Sequence, residues 1–354
     1  MRKINGQPVD AITDISDTSG GEALKWDAST GRMVWELQDG TDYMPAWYGG
    51  RGVFAGGART GDGTSVTMEY ITIASTGNAT DFGDLTVGRN GSPGSLSNGS
   101  RGVFSGGEVV AQTNTIDYIT ISSTGNATDF GDLTVARSHS LPCSDGTRGC
   151  LATGRTVASP MTVTNVIDYI TISATGNATD FGDVITSRRG GAGLSNGTRG
   201  IFGGGMINSS EDGTNAIEYI TISTTGNGTD FGDLSIVMSC MEASSIVDTT
   251  RGLFVFGYNH NSTGGSAGFF NNIEYITMAT TGNAVDFGDL DAAMSGCNSS
   301  GTSNGTRGII AGGYNTSWGL VDVINYVTIQ STGNSQDFGD LSTATWTAGA
   351  TSGD

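Results

Sequence analysis

"EYITISTTGNGTDFGDL" occupies residues 218–234, and near-copies of it recur along the whole chain. The same wording stands at 69–85 ("EYITIASTGNATDFGDL") and 117–133 ("DYITISSTGNATDFGDL"), then at 168–184, 274–290 and 325–341. The repeated tyrosines are Tyr70, Tyr118, Tyr169, Tyr219, Tyr275 and Tyr326. Each is followed twelve residues later by a phenylalanine: Phe82, Phe130, Phe181, Phe231, Phe287 and Phe338. A second signature, Arg-Gly plus an apolar run, begins at Arg51, Arg101, Arg148, Arg199, Arg251 and Arg307 and usually ends in Gly-Gly. Six units with a period of roughly 50 residues predict propeller blades of four strands each.

Each unit reads as four strands, a to d from axis to rim. "RGVFSGG" is a short, near-continuous apolar run, as expected for a strand buried on both faces. "YITI" alternates apolar residues with Thr and reads as half-buried strand c. "STGNAT" supplies the Gly and Asn expected at positive φ in a hairpin turn, and "DFGDL" forms outer strand d, its Phe inserted between blades. Strand a precedes each Arg-Gly, as in "GSPGSLSNGS", and ends in an Asn-Gly suited to a two-residue turn.

Composition agrees. Gly contributes 58 of 354 residues and charged residues only 14%, which suits short strands and tight turns rather than helices. The net charge is −19, and the 16 basic residues are scattered, never more than two together, so no stripe exists to engage nucleic acid or an anionic membrane. No apolar run approaches the ~20 residues of a membrane span, and residues 1–15 lack the apolar stretch of a secretory signal. Cys143, Cys150, Cys240 and Cys297 have no zinc spacing; Cys143 and Cys150 could meet across a hairpin, and buried free thiols are expected. These features predict a soluble protein made in a reducing cytoplasm.

The diglycine on strand b, Tyr on c and an aromatic on d resemble kelch repeats over about residues 48–354, with Phe where kelch units usually carry Trp. The wording "RGVFAGG…YITI…TGNATDFGDLTV" is similar to repeat proteins of tailed bacteriophages, particularly marine and cyanobacterial ones. That resemblance implies a virion structural or tail-fibre-like protein, synthesised in the bacterial host cytoplasm and present in multiple copies per particle.

The expected fold is therefore all-β: a six-bladed kelch-like propeller over 48–354, with a short N-terminal attachment segment over 1–47. The first unit lacks its own strand a, and the chain ends in "STATWTAGATSGD". Joining "TSGD" to "RGVFAGG" reproduces the internal "SNGTRGIFGGG", so the C-terminal strand is expected to complete blade 1 and remove the open edge.

The a–b and c–d turns are nearly identical from unit to unit, whereas the b–c and d–a segments differ widely. The alternating strand direction places all the diversity on one face, the arrangement of a binding surface on a rigid frame; neutral drift of exposed loops is the competing explanation. Both ends of the propeller fall on the uniform face. In the segment before it, "ALKWDASTGRMVWEL" reads as a hairpin with Trp26 and Trp35, resembling connectors of phage fibre proteins, and its partners would be other virion proteins.

Chemistry is sparse. "DFG" lacks the accompanying kinase motifs. The paired acids typified by Asp81 and Asp84 could bind calcium but are expected to cap turns, and no metal or cofactor is expected. The two histidines, His139 and His260, lie in variable segments, where a lone His is usually solvated. Glu108, Glu211 and Asp212 show no obvious pairing, so no catalytic residue is expected. The contact candidates are Tyr258, His260, Phe269, Phe270, Tyr314 and Trp318, since rigid aromatics supply contact area at low entropy cost. The expected function is non-catalytic binding of a host-surface glycan or protein by a virion appendage. A purely structural ornament and a glycan-cleaving enzyme are the alternatives.

Overall fold

The computed structural model describes residues 49–61, 63–260, 267–291 and 299–354, together with the backbone of short strands between residues 3 and 37. The chain divides into two compact units, Met1–Met44 and Pro45–Asp354. In the first, Glu22–Asp27 pairs antiparallel with Arg32–Leu37, placing Trp26 opposite Met33 and Trp35 opposite Leu24, and Ile15–Ser16 adds a third strand. The side chains of Trp26 and Trp35, like Cys297, lie outside the described residues.

The second unit is a closed six-bladed propeller. Blade 2 is typical: Gly94–Ser97, Arg101–Ser105, Thr115–Thr120 and Thr128–Asp132 form an antiparallel sheet in chain order. Blade 1 takes its inner strand from the far end of the sequence. Gly349–Gly353 pairs with Arg51–Ala55, which is followed by Ser65–Thr72 and Thr80–Arg89. Blade 5 has three regular strands, and residues 245–248 occupy the inner place. There Leu253 N–H donates to Ile246 O (2.9 Å) and Asp248 N–H to Arg251 O (3.0 Å). Ser245 takes a φ of 63° there, which interrupts a regular strand.

Six apolar cores lie between blades. Phe82 packs with Val53, Met68 and Leu85 of its own blade and with Phe104, Ile119 and Ile121 of the next. The sixth core joins Phe338 and Ile324 of blade 6 to Phe54 and Ile73 of blade 1. Burying a side chain of this size contributes about 2–3 kcal/mol, so each wedge holds its interface strongly.

The repeated wording is explained by contacts that run from each blade to the next. Gly125 N–H of blade 2 donates to Phe82 O of blade 1 (2.7 Å), Ala127 N–H to Asp84 O (2.7 Å), and Asn126 Oδ1 accepts from Asp84 N–H (3.1 Å). The same set closes the ring, since Gly77 N–H reaches Phe338 O (2.8 Å) and Asn78 Oδ1 accepts from Asp340 N–H (3.1 Å). Gly83 has a φ of 142°, and a Cβ there would stand 2.4 Å from Gly125 O. Only glycine fits that contact. "TGNA" is thus a cross-blade pairing segment, and none of its six asparagines takes positive φ. In the a–b turn, likewise, only Gly99 is left-handed (87°), while Asn98 Oδ1 caps the amides of Ser100 (3.1 Å) and Arg101 (2.7 Å).

The repeated arginine works in the same direction. Arg51 lies over the Tyr70 ring (4.5 Å), which meets Phe82 edge-on (6.1 Å), and its Nη1 donates to Ile121 O of blade 2 (2.8 Å). Arg307 of blade 6 does the same to Ile73 O of blade 1 (3.2 Å). At the inner strands Ser144 Oγ donates to Ser97 O (2.9 Å), Ser97 Oγ to Ser352 O (2.7 Å) and Ser352 Oγ to Ser303 O (2.7 Å). Val247 stands at the equivalent place in blade 5 and interrupts this serine circuit.

The acid before five of the six repeated tyrosines is buried, and it caps the chain leaving the preceding blade; Asn325 takes that place in blade 6. Asp168 accepts from Thr134 N–H (3.0 Å) and Thr134 Oγ1 (2.6 Å), and is paired with the fully buried Arg137. Arg89–Asp117 and Arg188–Glu218 repeat the arrangement. Burial lowers the pKa of each of these arginines, and the adjoining carboxylate opposes the shift.

Candidate functional site

The second glycine of each strand-b diglycine brings two segments together. Gly107 has a φ of 99°, and a Cβ there would meet Asn90 O at 2.8 Å. The residue after it, Glu108, then exchanges backbone bonds with Asn90 of the d–a segment (2.9 and 2.8 Å). The pairing recurs as Ser138 with Arg155, Arg189 with Met206 and Cys240 with Tyr258. Around the axis this builds two columns of side chains at equivalent repeat positions. The first residue of successive b–c loops is Ala58, Glu108, Arg155, Met206, Tyr258 and Tyr314. The scaffold is constant there, while the side chain varies, with only Tyr occurring twice.

These columns enclose a cavity of about 420 Å³ at the axis. It is lined by Asn90, Gly91, Glu108, His139, Arg155, Arg189, Met206, Cys240, His260, Tyr314, Trp318, Trp346 and Thr347. Every one of these belongs to a b–c or d–a segment. The opposite end carries both ends of the propeller unit: Gly50 N–H donates to Asp354 Oδ1 (2.5 Å), and Asp354 N–H to Gly99 O in an a–b turn (2.8 Å).

One side of the cavity is aromatic. Tyr258 meets His260 (4.7 Å), Phe269 (4.8 Å) and Trp318 (4.7 Å). Trp318 also contacts Phe269 (4.7 Å) and Tyr314 (5.4 Å), and Tyr314 continues to Trp346 (5.2 Å). Trp318 remains 48% exposed, so the cluster shows an indole to solvent. Phe270 departs from the expected contact set: it packs against the core between blades 4 and 5.

The other side is charged. Arg155 is ion-paired with Glu108, and His260 Nδ1 lies 2.9 Å from Glu211. His139 overturns the expectation of a solvated loop histidine. It is buried, with Nδ1 2.6 Å from Glu242 Oε1, and Ser92 Oγ donates to the other carboxylate oxygen (2.5 Å). Burial lowers the His139 pKa. For Glu242, burial acts upward, but the charge and hydrogen bond of His139, the Ser92 hydroxyl and the charge of Arg189 bring it below the ordinary carboxylate value. Nδ1 facing the carboxylate is the ring donor, and burial disfavours a second proton on the ring.

Backbone strain gathers here too. Ser92, His139, Glu211, Glu242, Trp318 and Thr347 all take φ between 44° and 69°. Gly91 and Gly190 hold the repeat position that His139 and Thr347 occupy, so the scaffold itself dictates the left-handed turn. A non-glycine residue there costs on the order of 1–2 kcal/mol.

Comparison of the sequence with protein-family models and with curated proteins finds no match to either.

Of the six contact candidates, the structure brings Tyr258, His260, Phe269, Tyr314 and Trp318 together. Reading the loops one at a time missed Arg155, Arg189, His139, Glu242 and Trp346. The residue following each diglycine was the available signal for the first column. Glu108 and Glu211, which showed no pairing in sequence, are paired with Arg155 and His260, and Asp212 accepts from Asn208 Nδ2 (2.8 Å). Cys143 and Cys150 face each other across strands as buried free thiols. Among the described residues, no group of three or more His, Cys, Asp or Glu side chains is placed to hold a metal ion.

Proposed function

We propose that the propeller is a non-catalytic recognition module whose irregular face holds a glycan or protein of a bacterial host surface. The observation that carries this reading is the half-buried aromatic cluster of Tyr258, Phe269, Tyr314 and Trp346, capped by the exposed Trp318. It is assembled from three separate segments beside an axial cavity, on the face where the repeat wording breaks down. Large rigid rings around a concave polar centre suit recognition, and fixed loops on a closed frame keep the ordering cost of binding low.

The resemblance of the repeats to kelch-like units of tailed-phage proteins supports placing the module on a virion, as a tail fibre or similar appendage in multiple copies. In this reading residues 1–47, with Trp26 and Trp35, join other virion proteins, and the irregular face points to the host. Antibodies against the 255–271 loop should bind intact particles and block adsorption to cells, while antibodies against the a–b turns should not block it. An irregular face that is inaccessible on intact particles would mark a structural ornament instead.

A further inference from the structure

We infer that the axial cavity takes a carboxylated sugar, its anionic group held by Arg189 and its ring laid against Trp318 and Tyr314. This rests on the recognition reading above and names the ligand class for it.

The argument begins with charge accounting inside the cavity. Although the chain carries −19, the cavity lining itself holds two arginines and two histidines against one carboxylate, Glu108, with Glu242 and Glu211 behind the histidines. Glu108 is taken by Arg155, and Glu211 faces His260. His139 is already bound to Glu242. Arg189 is left. No carboxylate lies within ion-pair distance of it among the described residues, and its Nε is spent on the weak acceptor Met161 Sδ (3.0 Å). Its two terminal nitrogens have no protein partner among the described residues. A half-buried guanidinium in that state presents a planar fork matched to a carboxylate.

The backbone fixes this group at the cavity wall, because Arg189 exchanges bonds with Met206 at 3.0 and 2.8 Å. The same cavity is lined by Trp318, Tyr314 and Trp346, with Asn90 and Thr347 adding polar groups. A sugar acid combines the needed features: a carboxylate, hydroxyls, and an apolar ring face for an indole. The volume of about 420 Å³ falls within the range of small-ligand clefts, roughly 300–1,000 Å³.

The test titrates the full-length protein by calorimetry with three probes. These are mannuronate oligomers, the same oligomers after carboxyl reduction to the neutral sugar, and hexaglutamate. The carboxylated oligomers should bind roughly ten- to a hundredfold more tightly than the reduced ones. R189Q should erase that preference, R189K should retain part of it, and W318A should weaken both sugars; unchanged melting temperatures would show that the variants fold. Equal binding of the two sugars, or a preference that survives R189Q, overturns the inference while leaving the recognition reading intact. So does tighter binding of hexaglutamate than of the sugars. Binding to none of the probes, by protein that still adsorbs to host cells, likewise sinks the sugar-acid assignment alone; failure to adsorb at all counts against the recognition reading itself.

Discussion

His139 and Glu242 are 103 positions apart in sequence, yet their side chains meet at 2.6 Å and tie the loop entering blade 3 to the loop entering blade 5. The contact bypasses blade 4 and sits beneath the axial cavity, so it fixes the floor on which the irregular face is built. Both groups are buried, and both resist protonation in the folded protein.

That resistance sets a pH dependence. Both folded-state pKa values are depressed, so the unfolded chain takes up protons more readily than the folded one. The stabilisation is complete above the ordinary histidine value of 6.5 and declines as pH falls below it; a further decline begins below 4.5 as unfolded glutamate protonates. Thermal unfolding followed from about pH 8 to pH 4 should show the first decline in the wild type. H139Q should flatten it, with His260 accounting for the remainder. A wild-type melting temperature that is constant between about pH 7 and pH 5 would contradict this.

The buried ion pairs make an asymmetric prediction. R137M should destabilise by about 3–5 kcal/mol in urea denaturation, because Asp168 is left charged in a dry site. The double change R137M/D168N should recover most of the loss. The sequence already combines the two replacements once: Met294 stands seven residues after Phe287, as Arg137 does after Phe130, and Asn325 replaces the acid before Tyr326. Equal effects of the single and double changes would show that the pair is not coupled.

Two glycines that face each other between blades 3 and 4 should respond oppositely to alanine. A Cβ on Gly182, at a φ of 145°, would stand 2.4 Å from Gly226 O, whereas one on Gly226 meets nothing within 4 Å. G182A should cost at least about 2 kcal/mol and G226A no more than a few tenths. Equilibrium unfolding of the two variants decides it.

Deleting residues 349–354 should leave Arg51–Ala55 as a bare inner edge. Such an edge templates pairing with another chain, so the truncated protein should self-associate on size exclusion. Adding a synthetic peptide of residues 345–354 should restore the monomer. A monomeric truncation with an unchanged melting temperature would show that the closing strand is dispensable.

How much of this was legible in the sequence depended on whether the information was periodic. The insertion of Phe82 and the pairing of Gly349–Gly353 with blade 1 followed from repeat spacing, because a period reports equivalent environments. The partner of "TGNA" did not follow, since a Gly-Asn pair has the same local signature in a tight turn and in a cross-blade pairing. The burial of Asp117 and its pairing with Arg89 were hidden for a related reason: 28 residues separate them, and only the packing of neighbouring sheets brings them together. His139 was misread because it occupies a place that Gly91 and Gly190 fill elsewhere. Its loop looked irregular in sequence while its backbone obeyed the repeat.

The closing strand has a consequence for synthesis. As the chain leaves the ribosome, blades 2 to 6 each receive all their strands in order, while blade 1 must wait until residues 349–353 have been made. Throughout that interval the nascent protein carries an unfilled seat beside Val53 and Phe54, and a neighbouring nascent copy could offer its own last strand to it. Crowded translation of this message therefore favours strand exchange between copies, and slow, well-separated translation favours the self-contained ring.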